Sequence, residues 1–456
     1  MGRDSAFANF AGWPEVTLAE ITTKIGSGAT PRGGSQTYLD HRMEYALIRS
    51  QNVFDRRFDR DGLAYITNEQ ANALRNVVVQ RSDVLLNITG DGVTFGRSCI
   101  VPDDVRPACV NQHVSIIRVD PEKADAGYVL SFLTHPEVKA YIESFNAGGS
   151  RRAITKGHIE SFRLALPPLP IQRAIARILG ALDDKIELNR KMSATLEAMA
   201  RALFHSWFVD FDPVRAKAEG RIPHGMDAAT AALFPSEFEE SELGLIPRGW
   251  SVVEIGELAS IAGGATPSTG SPAFWTDGIH SWATPKDLSR LHTPVLSATE
   301  RRVTDQGLQQ ISSGLLPIGT VLLSSRAPIG YLAVTEIPVA INQGFIAMKP
   351  KSDVPSQFLL LWAHAAKSEI LARANGSTFL EISKTNFKSI LVPRPSGSVL
   401  AAFDRITSPL YRAIVANEGV NTSLIAMRDE LLPRLLSGEL VVDELLNSQH
   451  AEPSHD

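Results

Sequence analysis

The feature that most constrains this 456-residue chain is an internal repeat: motifs of the first half return in the second half, in the same order. Trp13 opens the first copy and Trp250 opens the second, an offset of 250 − 13 = 237 residues. The other matched pairs are Gly28–Pro31 with Gly264–Pro267, Leu47–Val53 with Trp282–Leu288, Asp83–Asn87 with Thr320–Ser324, Asn111-Gln112 with Asn342-Gln343, and Ile154–Lys156 with Ile382–Lys384. Each motif is weak alone, but six in one order predict two copies of one domain.

Within each copy, short apolar runs predict buried strands, and longer apolar runs downstream predict helices. The predicted strands are Val84–Ile88, Val114–Arg118, Thr320–Ser324 and Phe345–Lys349. The predicted helices include Tyr128–Leu133 and Gln357–Trp362. Strands that cluster ahead of helices favour an α+β domain over a doubly wound sheet.

Each copy is followed by a long helical pattern whose apolar residues recur in steps of three or four, as in a coiled-coil seam. The first seam comprises Ile171, Ile175, Ile178, Leu182, Ile186, Met192, Leu196, Met199 and Leu203, with Asn189 as its polar position. The second comprises Phe403, Ile406, Leu410, Ile414, Val420, Leu424, Met427 and Leu431, with Asn417 as its polar position. Each Asn either lies in the seam or on its rim, and Pro409 predicts a kink or a fresh helix start near Ser408.

We expect the two helices to form an antiparallel coiled coil that holds the domains apart; the alternative is that each helix docks on its own domain. The predicted order is a first repeat domain (1–168), a spacer helix (169–211), a linker (212–247), a second repeat domain (248–396), a second spacer helix (397–445) and a tail (446–456). The predicted fold class is therefore α+β, with two pseudo-symmetric domains joined by two long helices.

Sequence motifs of catalysis do not occur in the chain. The glycine-rich run Gly26–Gly34 does not contain the Gly-Lys-[Ser/Thr] of a phosphate-binding loop, and neither a zinc helix nor a nucleophile elbow occurs. Asp183-Asp184-Lys185 superficially resembles a nuclease motif, but a solvated charged helix face is the expectation. Cys99 and Cys109 match no metal or redox spacing and are expected to be ordinary thiols in a reducing cytoplasm. The sequence predicts a protein that binds and positions, not an enzyme.

The formal net charge of −5 excludes coating of nucleic acid through bulk charge, so DNA binding must depend on local groups. Two separated, related domains suit duplex DNA, whose half-sites recur on one face about every 34–36 Å. In detail the chain resembles the specificity subunit of type I restriction-modification systems. The motifs that carry the resemblance are Leu182–Lys191, Leu196–Pro213, Leu243–Trp250 and Arg428–Leu440.

That resemblance implies that the two repeat domains are target-recognition domains separated by the two long helices, and that they read a bipartite, asymmetric target on double-stranded DNA. It also implies two modification (methyltransferase) subunits docked on the helical region, and restriction (translocase and endonuclease) subunits that join this core. S-adenosylmethionine, ATP and Mg would belong to those partners, so we expect no cofactor and no metal on this chain, and no membrane association.

Candidate DNA contacts are side chains that suit base edges or phosphates. In the first copy they are Thr30, Arg32, Arg49, Gln51, Asn52, Thr89, Asn111, Gln112, Arg151, Arg152 and Lys156. In the second copy they are Thr266, Ser268, Thr284, Lys286, Ser325, Arg326, Asn342, Gln343, Ser377 and Lys384. Positions shared by both copies should serve the fold or bind phosphate, with Arg151, Arg152, Lys156 and Lys384 ranked first. Base readers are expected in the divergent loops 32–38, 91–95 and 268–275, and the Asn-Gln pairs could instead hold a turn.

The aromatic end of the first long helix is a candidate subunit interface, because buried aromatic residues often anchor interfaces. Phe204, Trp207 and Phe208 either pack against a modification subunit or belong to an intramolecular core. Two other classes of protein compete with DNA recognition. A fragment of a single-chain restriction-methylation enzyme would transfer methyl groups by itself, and a coiled-coil scaffold for proteins alone would bind no DNA as a complex.

Overall fold

The computed structural model describes residues 11–90, 93–145, 152–351, 353–376 and 380–442. The chain divides into two compact units, one formed by residues 1–187 and 422–456, the other by residues 188–421. Each unit contains one copy of the repeat together with part of both long helices. Within the described ranges, none of the helices combines the length and apolarity needed to span a membrane.

The first unit contains a four-stranded antiparallel sheet and a smaller three-stranded one. The larger sheet has the order Thr22–Ser27, Val114–Val119, Val84–Asn87, Ser98–Ile100. The smaller sheet has the order Ala108–Val110, Tyr45–Ile48, Ala64–Ile66, and its first pair is parallel. The helices that follow are Ala126–Leu133, Pro136–Ser144 and Lys156–Glu160. Glu15–Thr17 pairs with Arg163–Ala165 and closes the copy.

The second unit repeats this plan. Its larger sheet has the order Ala259–Gly263, Phe345–Pro350, Val321–Ser324, Leu332–Thr335, Val295–Leu296, with only the last pair parallel. Its smaller sheet has the order Arg301–Val303, His280–Ala283, Ala340–Ile341. The corresponding helices are Ser356–Ala365, Lys367–Ala372 and Lys384–Lys388, and Ser251–Glu254 pairs with Leu391–Arg394. The predicted α+β class, strands and helices are confirmed.

The central strands are buried on both faces, which explains why they read as continuous apolar runs. In the first copy Val84, Leu85 and Leu86 are fully buried, and Leu85 lies opposite Ile116 in the register. The two cysteines are free and buried, and burial raises the pKa of Cys109 to about 11. They are therefore protonated thiols of the core, as the sequence predicts.

The long helices span Leu169–Phe204 and Gly397–Ser437 and pair antiparallel, as predicted. In the first unit Asp183 forms an ion pair with Arg428, and in the second unit Asn189 donates to Asn421 at 2.9 Å. Sequence numbers rise along one helix as they fall along the other. Asn417 similarly donates to Ser193 at 3.1 Å.

The structure decides one open alternative for these helices and corrects two expectations. Asn189 lies buried in the seam with Asn421 as its partner, whereas Asn417 is only half buried, because antiparallel pairing does not oppose positions that the repeat makes equivalent. One helix spans Gly397–Ser437 through the exposed Pro409, so the fresh helix start that was one alternative near Ser408 does not occur. Five predicted seam residues are largely exposed, because a two-helix pair covers only a narrow stripe of each helix. They are Met192, Met199, Ile406, Val420 and Met427.

A third expectation also fails, and it concerns the charged run on the first long helix. Asp183 is not solvated, because its carboxylate accepts from Arg56 at 2.6 Å and from Arg428 at 3.0 Å. Its side chain is 17% exposed, and that of Arg56 is 5% exposed. Asp184 and Lys185 are exposed, as expected.

Residues 205–247, after the first long helix, are folded. One turn of π-helix covers His205–Val209, and the helices Asp212–Ala218 and Ala228–Ala232 follow. A hairpin then pairs Phe238–Ser241 with Gly244–Pro247. Val214, Phe234 and Ile246 are buried in the core of the second unit, so the segment predicted as a linker contributes to that core.

Candidate nucleic-acid interface

The repeated motifs of the first copy lie on different loops, and main-chain hydrogen bonds join them into one framework. Four amides each donate to a backbone carbonyl at 3.0 Å. The donor and acceptor pairs are Ala29 and Val110, Asn111 and Ile48, Ile88 and His113, and Ile154 and Ile88. They gather five segments that lie up to about 125 residues apart in sequence. The framework depends on backbone groups, so it specifies where the loops meet and not which side chains they carry.

The second copy builds the same framework with the equivalent residues. Here too four amides each donate to a backbone carbonyl. The donor and acceptor pairs are Ala265 and Ile341 (3.0 Å), Asn342 and Ala283 (3.0 Å), Ser325 and Gly344 (2.8 Å), and Ile382 and Ser325 (3.1 Å). All five segments were found in the sequence as repeated motifs. The repeated motifs therefore share one structural role: their main-chain hydrogen bonds join the loops at one place.

The first residue of each Gly-Ala-Thr-Pro motif must be glycine because a backbone carbonyl lies against it. A Cβ atom on Gly28 would lie 2.0 Å from the carbonyl oxygen of Val110. On Gly264 it would lie 1.8 Å from that of Ile341. A side chain at either position would force the loop away from the framework.

The threonine of each motif contacts the glutamine of the repeated Asn-Gln pair. Thr30 Oγ1 donates to Gln112 Oε1, and Thr266 Oγ1 donates to Gln343 Oε1. Both glutamines are exposed. The preceding asparagines each close a turn: Asn111 accepts from the amide of His113 at 3.1 Å, and Asn342 from that of Gly344 at 2.9 Å.

Several exposed cations stand on or beside the framework. Lys156 and Lys384 are the first residues of short helices capped by Thr155 and Ser383. Arg32 is exposed in the first divergent loop. These three side chains are well placed for an anion outside the protein, although Lys156 also pairs with Glu160 at 3.4 Å.

Other candidate cations are neutralised within the chain. Lys286 pairs with Glu300 at 3.1 Å, and this hydrogen bond lowers the pKa of that carboxyl, which keeps it ionised. Arg326 pairs with Glu381 at 3.5 Å. A phosphate would have to compete with these carboxylates for either cation.

The remaining candidates in the described ranges have structural partners. Asn52 is fully buried and donates to the carbonyls of Asp59 and Asp61, each at 3.1 Å. The other contacts are those of Arg49 and Gln51 with the carbonyl of Gly62, Thr89 with His113, Thr284 with Asp287, and the 3% exposed Ser325 with Gly344. Asn52 and Ser325 are therefore framework residues that a DNA base could not reach.

Three candidates are only partly covered by the structure. Arg151 and Ser377 lie outside the described residues, as do residues 91 and 92 of the second divergent loop. Arg152 is described in its backbone alone, where it pairs with Gly90 in a two-residue strand. Ser268 is exposed, and its carbonyl accepts from the indole of Trp275 at 3.0 Å.

Sequence reasoning missed a cation–aromatic stack in the second copy. The guanidinium of Arg301 lies 3.6 Å from the ring centre of Trp275 and 5.2 Å from that of Trp282. The stack holds the 268–275 loop against the smaller sheet. In the sequence, only the presence of Trp275 inside a divergent loop pointed to such a contact. Its partner, Arg301, is identified by the fold.

The three aromatic candidates for a subunit interface lie in an intramolecular core. Phe204, Trp207 and Phe208 are 2%, 3% and 7% exposed. Each lies within about 6 Å of the ring of Phe403, at 6.1, 5.8 and 4.9 Å between ring centres. The described contacts therefore support the intramolecular alternative.

The duplicated framework and the paired helices define a protein made of two related binding domains on a helical support. Residues 11–198 and 247–399 match the family described as the type I restriction modification DNA specificity domain. The chain belongs to this family and is a specificity subunit of a type I restriction-modification system, which implies recognition of a DNA target.

One curated relative and one solved structure are similar over most of the chain, and a second relative is similar over about a third of it. The HindI specificity subunit of Haemophilus influenzae is 27% identical over 94% of this chain and 99% of its own length. The MjaIX specificity subunit of Methanocaldococcus jannaschii is 39% identical over 37% of this chain and 41% of its own length. The crystal structure of the type I S subunit from M. genitalium has the same fold, with a TM-score of 0.53 at 14% identity, covering 93% of this chain and 96% of that one.

Proposed function

We propose that this chain reads a bipartite, asymmetric site on double-stranded DNA, with one half-site bound by each copy of the repeat. The observation that carries the proposal is the framework of five loops, built twice from the same main-chain hydrogen bonds. Loops that differ between the copies emerge from frameworks that are alike. Two unlike half-sites are what such a pair would recognise.

The half-site assignment is tested by changing one divergent loop at a time. Arg32→Ala should relax sequence preference in one half of the target, and Ser268→Ala in the other half. Each lost base contact should reduce discrimination by about 1–3 kcal/mol. Sequencing of methylated sites in a host that carries the complete system measures both halves at once. Relaxation of both halves by a single change would refute the assignment.

Lys156 and Lys384 support the proposal as equivalent phosphate contacts, because both begin short helices beside the framework. Removal of one cation should weaken binding to every sequence alike and reduce the salt slope by about one unit. Lys156→Gln and Lys384→Gln are compared with Lys349→Gln, which removes an exposed lysine elsewhere. Binding to labelled duplex DNA is measured for the assembled complex between about 50 and 200 mM salt.

We further propose that the helical support carries two modification subunits, and that restriction subunits join them. The repeat exposes the same apolar pair on each helix: Met192 and Met199 on the first, Val420 and Met427 on the second, both at an offset of 228 (420 − 192 = 228; 427 − 199 = 228). Exposed apolar side chains at equivalent places suit two copies of one partner.

In this proposal S-adenosylmethionine, ATP and Mg act on the partner subunits, and this chain is a non-catalytic DNA-recognition component. Met199→Glu and Met427→Glu should each remove one modification subunit from the complex, measured as its mass in solution. Methyl transfer to DNA by the isolated chain with S-adenosylmethionine would contradict the non-catalytic assignment. Assembly without any affinity for DNA would favour a protein scaffold instead.

A further inference from the structure

The second unit contains a cleft of about 270 Å³ between its copy of the repeat and the first long helix. The copy contributes the 288–294 segment, the strand beginning at Leu332, and the helix that contains Leu361 and His364. The long helix contributes Glu197 and Arg201. Lys367 lines a smaller pocket that shares Gly330, Leu332 and His364 with the cleft, and its Nζ is 3.9 Å from the position of a Cβ atom on Gly330.

In the first copy the equivalent place is filled by the side chain of Arg56, and Asp55 lies beside it. The buried helical runs 128–133 and 358–363 are related by 358 − 128 = 230, which pairs Ser131 with Leu361 and Thr134 with His364. Ser131 and Thr134 are the residues to which Arg56 donates, at 3.1 and 3.2 Å. Leu361 and His364 line the cleft together with Leu291, which corresponds to Arg56 by the offset of the preceding motif (288 − 53 = 235), so the second copy has no guanidinium at this place.

The residue before Arg56 shows which chemistry is missing from the second copy. Asp55 accepts from Lys139 Nζ at 2.8 and 3.0 Å. Lys139 Nζ lies 3.9 Å from the Cβ position of Gly96, as Lys367 Nζ does from that of Gly330. The two lysines are spatially equivalent, but no ion pair joins Lys367 to a carboxylate of the described residues.

The cations Arg201 and Lys367 lie close to His364 at the cleft. Burial and then the guanidinium of Arg201 lower the pKa of His364, and Lys367 and His205 act in the same direction. Glu197 is the opposing charge, and it already pairs with Arg201. The apolar wall of Leu291, Leu332 and Leu361 would cover the stem of an incoming side chain.

We propose that this cleft binds an acidic side chain of the modification subunit, whose carboxylate pairs with Lys367 as Asp55 pairs with Lys139. The occupant is a short segment with Asp or Glu beside an apolar residue. The inference rests on the proposed assembly with modification subunits. It makes the two copies unequal as docking sites, because the first copy supplies this carboxylate itself.

A zero-length carbodiimide crosslink tests the ion pair directly, since the reagent joins an amine to a carboxylate in contact with it. In the assembled complex we expect Lys367 joined to an Asp or Glu of the modification subunit, identified by mass spectrometry. The Lys139–Asp55 link within this chain is the internal control for the chemistry. A link from Lys367 to a carboxylate of this same chain would overturn the proposal.

Affinity for the modification subunit, measured by titration calorimetry, gives the second readout. Lys367→Gln should weaken it at least tenfold, whereas Lys349→Gln should leave it unchanged. The thermal midpoint of each free variant should match that of the unaltered chain. Equal affinity of Lys367→Gln and the unaltered chain overturns the inference. If the unaltered chain itself does not bind the modification subunit, the proposed function fails instead.

Discussion

The two copies of the repeat attach to the long helices at equivalent positions but through different chemistry. Asp183 and Tyr411 are related by the helix offset (411 − 183 = 228). In the first unit Asp183 bridges Arg56 and Arg428. In the second unit the hydroxyl of Tyr411 donates to Glu336 at 2.9 Å. The repeat therefore preserves the place of attachment and not the contact made there.

This difference changes how each attachment should fail. Burial lowers the pKa of Arg56, and the carboxylate of Asp183 is the largest effect that opposes it. Loss of Asp183 would leave a buried cation without its counterion. In the second unit the attachment is accompanied by buried aromatic rings in tilted and edge-to-face contact, including Trp207 and Phe403. Truncation of an aromatic side chain there would lower the free energy of unfolding, because apolar burial is lost and a cavity is left.

The largest effect is expected where the aromatic attachment is broken. Trp207→Ala should destabilise the second unit by about 3–5 kcal/mol, because it empties a buried site among Phe208, Phe234 and Phe403. Amide hydrogen exchange measured by mass spectrometry should show faster exchange in residues 188–421 and little change in the first unit. Equal loss of protection in both units would remove the distinction between the attachments.

The charged attachment is expected to cost somewhat less when broken. Asp183→Ala should destabilise the first unit by about 3 kcal/mol, because Arg56 stays buried without its counterion. Asp184→Asn, at the exposed neighbouring position, is the matched control and should change little. Urea unfolding combined with hydrogen exchange at Val53–Phe58 measures the loss. A double change of Asp183 and Arg56 to apolar residues should recover part of it.

Gly28 and Gly264 occupy equivalent positions in the two copies, so the same substitution at each should have the same effect. Gly28→Ala and Gly264→Ala each place a methyl group against a backbone carbonyl, at 2.0 and 1.8 Å before relaxation. Each should destabilise its own copy by about 1–3 kcal/mol and reduce DNA affinity of the complex. Gly220→Ala is a control for the loss of a glycine in open space, although its positive φ adds local strain. A tolerant response in one copy alone would show that the frameworks are unequal.

The smallest expected effect concerns acid. Burial lowers the pKa of His135 below its ordinary value of 6.5, and its Nδ1 accepts from the amide of Glu137 at 3.2 Å. The contribution of neutral His135 to the free energy of unfolding is therefore fully present above about pH 6.5. It falls as the pH drops below that value, because the unfolded chain takes up the proton first. His364 is less buried, so the first unit should lose more. Urea midpoints at pH 7.5 and 5.5, compared with those of His135→Gln, test this order.

The sequence was sufficient for the repeat, the α+β domains and the antiparallel helix pair, because each leaves a periodic or duplicated pattern. It also located all five framework segments. It did not reveal that Asn52 and Ser325 are buried, because residue type does not distinguish a polar group that binds DNA from one that satisfies the backbone. Likewise the partner of Asp183 is Arg56, 127 residues away, and only the folded chain brings them together.

The helix seam shows a second limit. Steps of three and four recur on more than one face of a helix, so Met192 and Met199 fitted the predicted seam as well as Ile186 did. Burial of Asn189, while Met192 one step along the seam is exposed, depends on Asn421 lying opposite, which is a property of the register. Patterns within one helix do not contain that register.

The joining of the five loops through main-chain amides bears on how such a protein changes over generations. Peptide groups are the same whatever residue carries them, so substitutions in the loops that leave the glycine and the turn intact do not disturb the junction. New loop sequences can accumulate in one copy while the other keeps its preference. The molecule thus separates the parts that must persist from the parts that can drift, and a lineage could acquire a new target one half at a time.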